Sequence, residues 1–278
     1  MATLGAGLPL PIKMLVMAHS GFGKTGALAS LAKDYKLHIL DLDNGTEILI
    51  DKVPKEFYPN VEIETIQDKF KIQGTKAVAQ GAVAWSKALS TLDMWAVKYN
   101  TPEHIIVIDS LTMLSTAALR HIMMLNNRLA SKPYQSDWGE AQTLIEDVLG
   151  LLYSKDLKAN VIVNTHITYL GGPDPYADKS AEDTAQTVQP LKGYPTSLGK
   201  ALSPKIARYF NNALVGKTIG DGRFAQRLLY TDPVDLVDSK IAAPGTVKST
   251  YPIATGLADI FRALRPSVAA PTLPPATA

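Results

Sequence analysis

The residues with the most chemistry in them stand near the start of the chain, at Ala18-His19-Ser20-Gly21-Phe22-Gly23-Lys24-Thr25. Two glycines, a lysine and a threonine at this spacing suit a polyphosphate. Gly21 and Gly23 let the backbone curl so that its N–H groups face phosphate oxygens. Lys24 brings a positive charge to the β- and γ-phosphates, and the Thr25 hydroxyl can ligate Mg²⁺. The pattern is that of a Walker A loop except at its first glycine, where Ala18 stands. Ser20, Gly21, Phe22, Gly23, Lys24, Thr25 and Gly26 are therefore the residues expected to hold the phosphates, with ATP and Mg²⁺ as the implied ligands.

Further chemistry comes from acids at the ends of apolar runs. Residues 104–108 (HIIVI) end in Asp109, which in this setting holds Mg²⁺ directly or through water, beside Thr25. A base that orients or deprotonates the attacking water must lie at a neighbouring strand end, beyond the γ-phosphate. Asp41, Asp43 and Glu47 are the candidates. Asp43 is favoured, and Glu47 follows because its longer side chain can reach in from the next turn. Asn164 or His166, at the end of another apolar run, can sense the γ-phosphate and relay its state to the following loop.

These groups meet only if strands and helices alternate. Residues 12–17 (IKMLVM) read as a buried first strand and 25–33 as the helix after the phosphate loop, its positive end facing the same place. Residues 36–40, 61–66, 104–108 and 161–164 read as further strands, and 75–98 as one or two helices with Gly81 as a weak point. Ser110 caps a helix running to about 128. Asp137 caps another from 138 to 155, with Glu140 at capping-box spacing. This alternation predicts an α/β fold with a mostly parallel central sheet flanked by helices. Residues 211–219 and 224–230 flank Gly220-Asp221-Gly222 and read as a C-terminal β-hairpin. The segment 171–198 is rich in Gly, Pro and polar residues and reads as one long functional loop. The expected organisation is an N-terminal segment 1–11, an ATPase domain 12–262 and a disordered Pro/Ala-rich tail 263–278.

Composition narrows the partners. The 278 residues include no cysteine, which removes disulfides, thiolate metal sites and a cysteine nucleophile. A net charge of +2 neither demands nor excludes nucleic acid. No apolar run is long and uncharged enough for a membrane span, and a cleaved signal peptide would destroy the phosphate loop, so a cytoplasmic location is expected.

With AHSGFGKT, LDLDNG, IIVIDSLT and VIVNTH in this order, the chain resembles the RecA-like P-loop ATPases, in particular the small phage-type members related to bacterial RecA and archaeal RadA recombinases. The resemblance covers about residues 12–230. Ser110 after Asp109 is more typical of RecA-like proteins than of AAA+ proteins, which place a second acid there. The resemblance implies a RecA-like core and assigns the base to Asp43, where the family carries a glutamate. It assigns the γ-phosphate sensor to Thr165 or His166, and a mobile DNA-binding loop to 171–198; Tyr169 just before that segment, and Tyr176 and Tyr194 within it, can stack bases. It further implies DNA-stimulated hydrolysis, single-stranded DNA as partner, and self-association into a ring or filament in which Lys200, Lys205 or Arg208 reaches a neighbour's ATP. Recombination or annealing in the bacterial host cytoplasm is the implied setting. A switch or motor acting on a protein partner in phage replication or packaging is the alternative.

Overall fold

The computed structural model describes residues 10–172 and 190–265. Its order is β1 (Lys13–Ala18), α1 (Lys24–Ala27), β2 (Lys36–Asp41), α2 (Ile48–Lys52), β3 (Val61–Thr65), β4 (Phe70–Gln73), β5 (Lys76–Ala79), α3 (Ala84–Lys98), β6 (His104–Asp109), α4 (Leu111–Leu125), α5 (Gln135–Tyr153) and β7 (Asn160–Thr165). There follow β8 (Ile167–Leu170), β9 (Lys192–Pro195), α6 (Gly199–Leu202), β10 (Asn212–Ile219), β11 (Gln226–Tyr230), β12 (Thr250–Pro252) and α7 (Gly256–Leu264). The main sheet has eight strands in the order β12-β11-β10-β1-β7-β6-β2-β3. From β10 to β3 every pairing is parallel, and β11 and β12 are added antiparallel. This is the RecA-like P-loop fold, with a mostly parallel sheet between helices.

The apolar runs are continuous because the central strands are buried on both faces. Leu15, Met17, Ile106, Ile108, Val161 and Val163 face α3, α4 and α5. Met14, Val16, Ile105, Val107 and Ile162 face the first helix and α7 on the other side. α7 buries Leu257, Ile260 and Phe261 there, each contributing about 1.5–3 kcal/mol.

Several expectations need correction. Residues 76–79 form a strand and not a helix. The Gly74-Thr75 turn, with Gly74 at φ +60°, folds β5 back on β4, and the helix begins only at Ala84. α5 starts at Gln135. Asp137 lies inside its first turn, accepting from the Tyr134 backbone N–H at 2.7 Å and from Asn126 at 3.0 Å. Ser110 precedes α4 but makes no cap hydrogen bond. The helix after the phosphate loop is one α-turn followed by a 3₁₀ turn at Leu28–Leu31. The segment 171–198 is not one loop throughout, because β9 pairs antiparallel with β8. Residues 173–189 lie outside the described residues, as does the tail from 266. The expected hairpin is β10–β11, although the intervening connection spans residues 220–225.

At the amino edge of the sheet, away from the phosphate loop, Lys13 is buried and donates to the carbonyls of Leu157 and Ala159 at 2.9 and 3.1 Å. Burial, with Lys158 adding, lowers its pKa to about 7. The unfolded chain keeps this proton to about its ordinary 10.4. Between the two values the unfolded state therefore binds more protons, and stability rises with pH. Thermal melts of wild type and Lys13→Met from pH 6.5 to 10 should show the difference moving in favour of wild type. A flat difference would refute the buried-lysine account.

Candidate nucleotide site

The carboxyl ends of β1, β7, β6 and β2 lie side by side, in register Met17↔Thr165, Asp109↔Asn164 and Asp41↔Asp109. Parallel sheets place ligands at this edge. Here a cavity of about 340 Å³ is lined by Gly21, Lys24, Thr25, Asp43, Asp109 and His166, among others. Ser20, Gly23 and Gly26 line it as well, whereas Phe22 turns its ring into the core. Gly21 and Gly23 stand at φ +76° and +100°, backbone that a side chain would strain.

The departure at Ala18 has a structural answer. Ala18 pairs with Gly216 on β10. A Cβ on residue 216 would lie 2.8 Å from the Ala18 methyl and 2.4 and 2.6 Å from the Cε1 and Cζ atoms of Phe22. The missing side chain at Gly216 makes room for both the extra methyl and the Phe22 ring.

The Thr25 hydroxyl donates to Asp109 Oδ2 at 2.6 Å. Asp109 is 1% exposed, and burial pushes its carboxyl up to about 6. The Thr25 hydroxyl opposes that rise, while Asp43 and Asp41 add to it. Asp109 Oδ1 and both polar atoms of the neighbouring buried Asn164 amide have no hydrogen-bond partner. Buried polar atoms left unpaired are costly. A hydrated Mg²⁺ beside Thr25 and Asp109 would meet the two unpaired oxygens, Asp109 Oδ1 and Asn164 Oδ1, so these residues fit the ion. Among the described residues no group of three acids or histidines forms an all-protein metal cage. Mg²⁺ takes one or two carboxylates and fills its shell with water and phosphate.

Lys24 is buried, and its Nζ donates to the Ala18 and His19 carbonyls at 3.0 and 3.3 Å. Burial holds its pKa below the ordinary lysine value, with Asp109 and Asp43 acting against that.

The candidate bases separate by their partners. Asp41 is buried and occupied, accepting from Thr46 at 2.9 Å, Thr65 at 3.3 Å and the Gly45 N–H at 3.3 Å. It holds the turn 41–46 together. Asp43 lines the cavity, and its Oδ1 accepts from the Ser110 hydroxyl at 2.8 Å, which is where the expected cap of α4 goes instead. Backbone N–H groups of Leu42 and Asp43 also donate to the Asp109 carbonyl at 2.7 and 3.3 Å. Glu47 is exposed at the start of α2 and does not line the cavity. His166 does line it. Burial, with Lys24 adding, holds its pKa below the usual histidine value, and its Nδ1 lies 3.2 Å from the Thr112 hydroxyl. The His166 carbonyl accepts from Thr196 N–H at 2.8 Å, and the Thr165 hydroxyl donates to the Thr196 carbonyl at 3.0 Å. The strand end at the cavity is thus tied to the residue that follows β9.

Lys200, Lys205 and Arg208 are exposed and do not line the cavity, and Arg208 pairs with Glu146 at 3.1 Å. Tyr169 reaches the phosphate loop, its OH 3.4 Å from His19 Nε2. Tyr194 is on β9, and Tyr176 lies outside the described residues.

The sequence reading misses Arg227 and Lys52. Arg227 lines the cavity from β11, and a Cβ added at Gly23 would meet its Nη1 at 3.6 Å. Lys52, at the end of α2, lies against Gly26. The only sequence signals were the register of a hairpin and the face of a short helix. A guanidinium beside the phosphate loop is suited to bidentate phosphate contact.

Two substitutions test this geometry. Gly216→Ala should cost ~1–3 kcal/mol of stability by overpacking. It should also weaken binding of a fluorescent ATP analogue, and Phe22→Leu in the same chain should restore both. Arg227→Ala should weaken the same analogue several-fold while leaving the melting temperature unchanged. Unaltered affinity would remove Arg227 from the site.

Comparison with known proteins agrees at the level of the domain. A family model described as an AAA domain matches residues 10–241, more than half of the chain. No curated protein is matched by the sequence. Among solved structures, the chain is similar to a prototypical ATPase from the type III secretion system of pathogenic bacteria, at 11% identity and a TM-score of 0.42. That match covers 75% of this chain and 52% of the other, so the chain spans about half the length of the secretion ATPase. A KaiC-like protein from Pyrococcus horikoshii OT3 is similar at 11% identity and TM-score 0.43, covering 81% and 79% of the two chains. The flagellar accessory protein of Methanocaldococcus jannaschii is similar at 10% and 0.43, covering 88% and 86%. The phosphate loop, its strand-to-helix setting and the family match lead to one conclusion: this chain belongs to the AAA domain family and is a nucleotide-binding P-loop ATPase.

Proposed function

We propose that this ATPase is a RecA-like, Mg²⁺-dependent enzyme whose hydrolysis of ATP is coupled to single-stranded DNA in phage-type recombination or annealing. The observation that carries the catalytic part is Asp43, seated on Ser110 at the mouth of the cavity beside the Thr25–Asp109 pair. Thr25 and Asp109 would hold Mg²⁺, which when bound neutralises charge on the β- and γ-phosphate oxygens. Lys24 leaves the loop carbonyls for the phosphates. Asp43 orients a water and accepts its proton as the water oxygen attacks the γ-phosphorus. The bond to the β–γ bridging oxygen breaks, and ADP carries the resulting charge. Ser110 fixes the carboxylate, and neutral His166 faces the same space.

Support for the DNA part is the link between the cavity and the β8–β9 pair. His166 and Thr165 bond to Thr196, and Tyr169 reaches His19. Hydrolysis would thereby alter the segment that β8 and β9 bracket. In this reading Lys200, Lys205 and Arg208 serve a neighbouring subunit's nucleotide in a ring or filament. The second reading, a motor or switch on a protein partner, is favoured by the ion pairs Lys192–Asp238 at 2.5 Å and Lys217–Asp235 at 2.7 Å. Both lysines already have acids. Among the described residues no helix is long and apolar enough to cross a membrane.

Hydrolysis of Mg-ATP should be measured alone, with single-stranded and with double-stranded DNA. Asp43→Asn should lower kcat by about 10²–10⁴-fold with ATP binding retained. Asp43→Glu should keep activity, and Lys24→Ala should abolish it. Single-stranded DNA should raise the wild-type rate. Failure to retain single-stranded DNA at low salt with ATP present would exclude the DNA part and leave the protein-partner reading.

A further inference from the structure

Thr112 is the second residue of α4 and half-buried, where that helix meets the end of β7. Its hydroxyl oxygen has four polar neighbours. The His166 backbone N–H donates to it at 3.3 Å, and His166 Nδ1 lies 3.2 Å away. Thr165 Oγ1 stands at 3.4 Å and the Thr196 carbonyl at 3.5 Å.

A hydroxyl has one proton to place. The Thr112 oxygen already receives the backbone N–H, so its own proton must find an acceptor. The Thr196 carbonyl is taken at shorter range by the Thr165 hydroxyl, at 3.0 Å. His166 Nδ1 is the nearest of the remaining acceptors. An uncharged imidazole that accepts at Nδ1 carries its own proton on Nε2.

The surroundings keep His166 uncharged. Burial lowers its pKa, Lys24 and His19 lower it further, and Asp43 acts against them. His166 lines the nucleotide cavity together with Lys24, Asp43 and Asp109. With Nδ1 turned to α4, Nε2 is the ring nitrogen left for that cavity. A loop of this kind directs its lysine at the β- and γ-phosphates. A ring that feels Lys24 and Asp43 therefore stands at the outer end of a bound triphosphate.

We infer that Thr112 is a positioning residue that fixes the His166 tautomer, so that a neutral imidazole offers its Nε2–H to an oxygen of the terminal phosphate. The inference rests on the ATPase reading above and adds a residue that itself touches neither nucleotide nor metal. In the opposite tautomer a bare Nε2 lone pair would face phosphate oxygens, acceptor against acceptor. The Thr112 hydroxyl removes that alternative without placing a second positive charge beside Lys24. Farther along α4, Ser115 and Ser197 hydroxyls stand 2.8 Å apart, so the helix that sets the ring also holds the residue after Thr196.

The test uses the full chain with ¹⁵N-labelled histidine. The chain has five histidines, and His166→Gln identifies the signals of His166 by their loss. Long-range ¹H–¹⁵N spectra near neutral pH, without nucleotide, should show the proton on Nε2 in wild type and in Thr112→Ser. Thr112→Val keeps the shape but lacks the hydroxyl, and it should shift the ring toward the Nδ1-protonated form. Affinity is then measured for fluorescent ADP and for a fluorescent, slowly hydrolysed ATP analogue. Thr112→Val should bind the ATP analogue about tenfold more weakly, the size of one hydrogen bond to a charged group, and ADP as wild type does. Thr112→Ser should bind both normally. An Nδ1-protonated His166 in wild type, or an unchanged tautomer in Thr112→Val, overturns the inference. A loss shared equally by ADP and the analogue would make Thr112 only a tie between α4 and β7, and overturns it as well. Binding of neither nucleotide by wild type overturns the ATPase reading, and the phosphate contact with it.

Discussion

One buried carboxylate organises this molecule. Asp109 sits at the end of a central strand, nearly sealed from solvent, and reaches the loop through the Thr25 hydroxyl. An ionised group in that position is expensive unless something positive or hydrogen-bonding meets it. Within the chain it has Thr25 and, more loosely, Lys24, while one oxygen remains unpaired. The backbone carbonyl of the same residue accepts from the Leu42 and Asp43 N–H groups, so the two acids that line the cavity share one support. Displacing Asp109 would move both acids together.

The strand that carries the phosphate loop is held in a similarly indirect way. A loop with alanine at its first glycine position still closes because the neighbouring strand gives up a side chain at Gly216. That compensation lies almost 200 residues away in sequence. It shows why a departure from a motif cannot be judged inside the motif alone.

Much of this was legible in the sequence because the features are local. Continuous apolar runs gave strands buried on two faces, and Gly21, Gly23, Lys24 and Thr25 carried their own geometric meaning. Asp109 and Asp43 followed from being acids at strand ends. What was hidden depended on pairing. Residues 76–79 are Ala-rich and read as helix, but Gly74 at positive φ turns them into the second arm of a hairpin. Asp41 and Asp43 look alike in the sequence, and only the contacts of Thr46, Thr65 and Ser110 tell the structural acid from the one facing the cavity. Arg227 is placed by the register of an antiparallel hairpin, which no short-range pattern specifies.

The position of Arg227 has a mechanical consequence. β11 and β12 are joined to the rest of the sheet only through β10, and α7 follows directly from them. A triphosphate held by both Lys24 and Arg227, which line one cavity, would form a brace between β1 and the β10–β12 end of the sheet. The nucleotide would then be a structural strut as well as a fuel. Its cleavage would release the β10–β12 end of the sheet, while Asp43 stands toward the other end, just after β2. A single hydrolysis event would in that way be felt as an asymmetric loosening across the whole width of the domain.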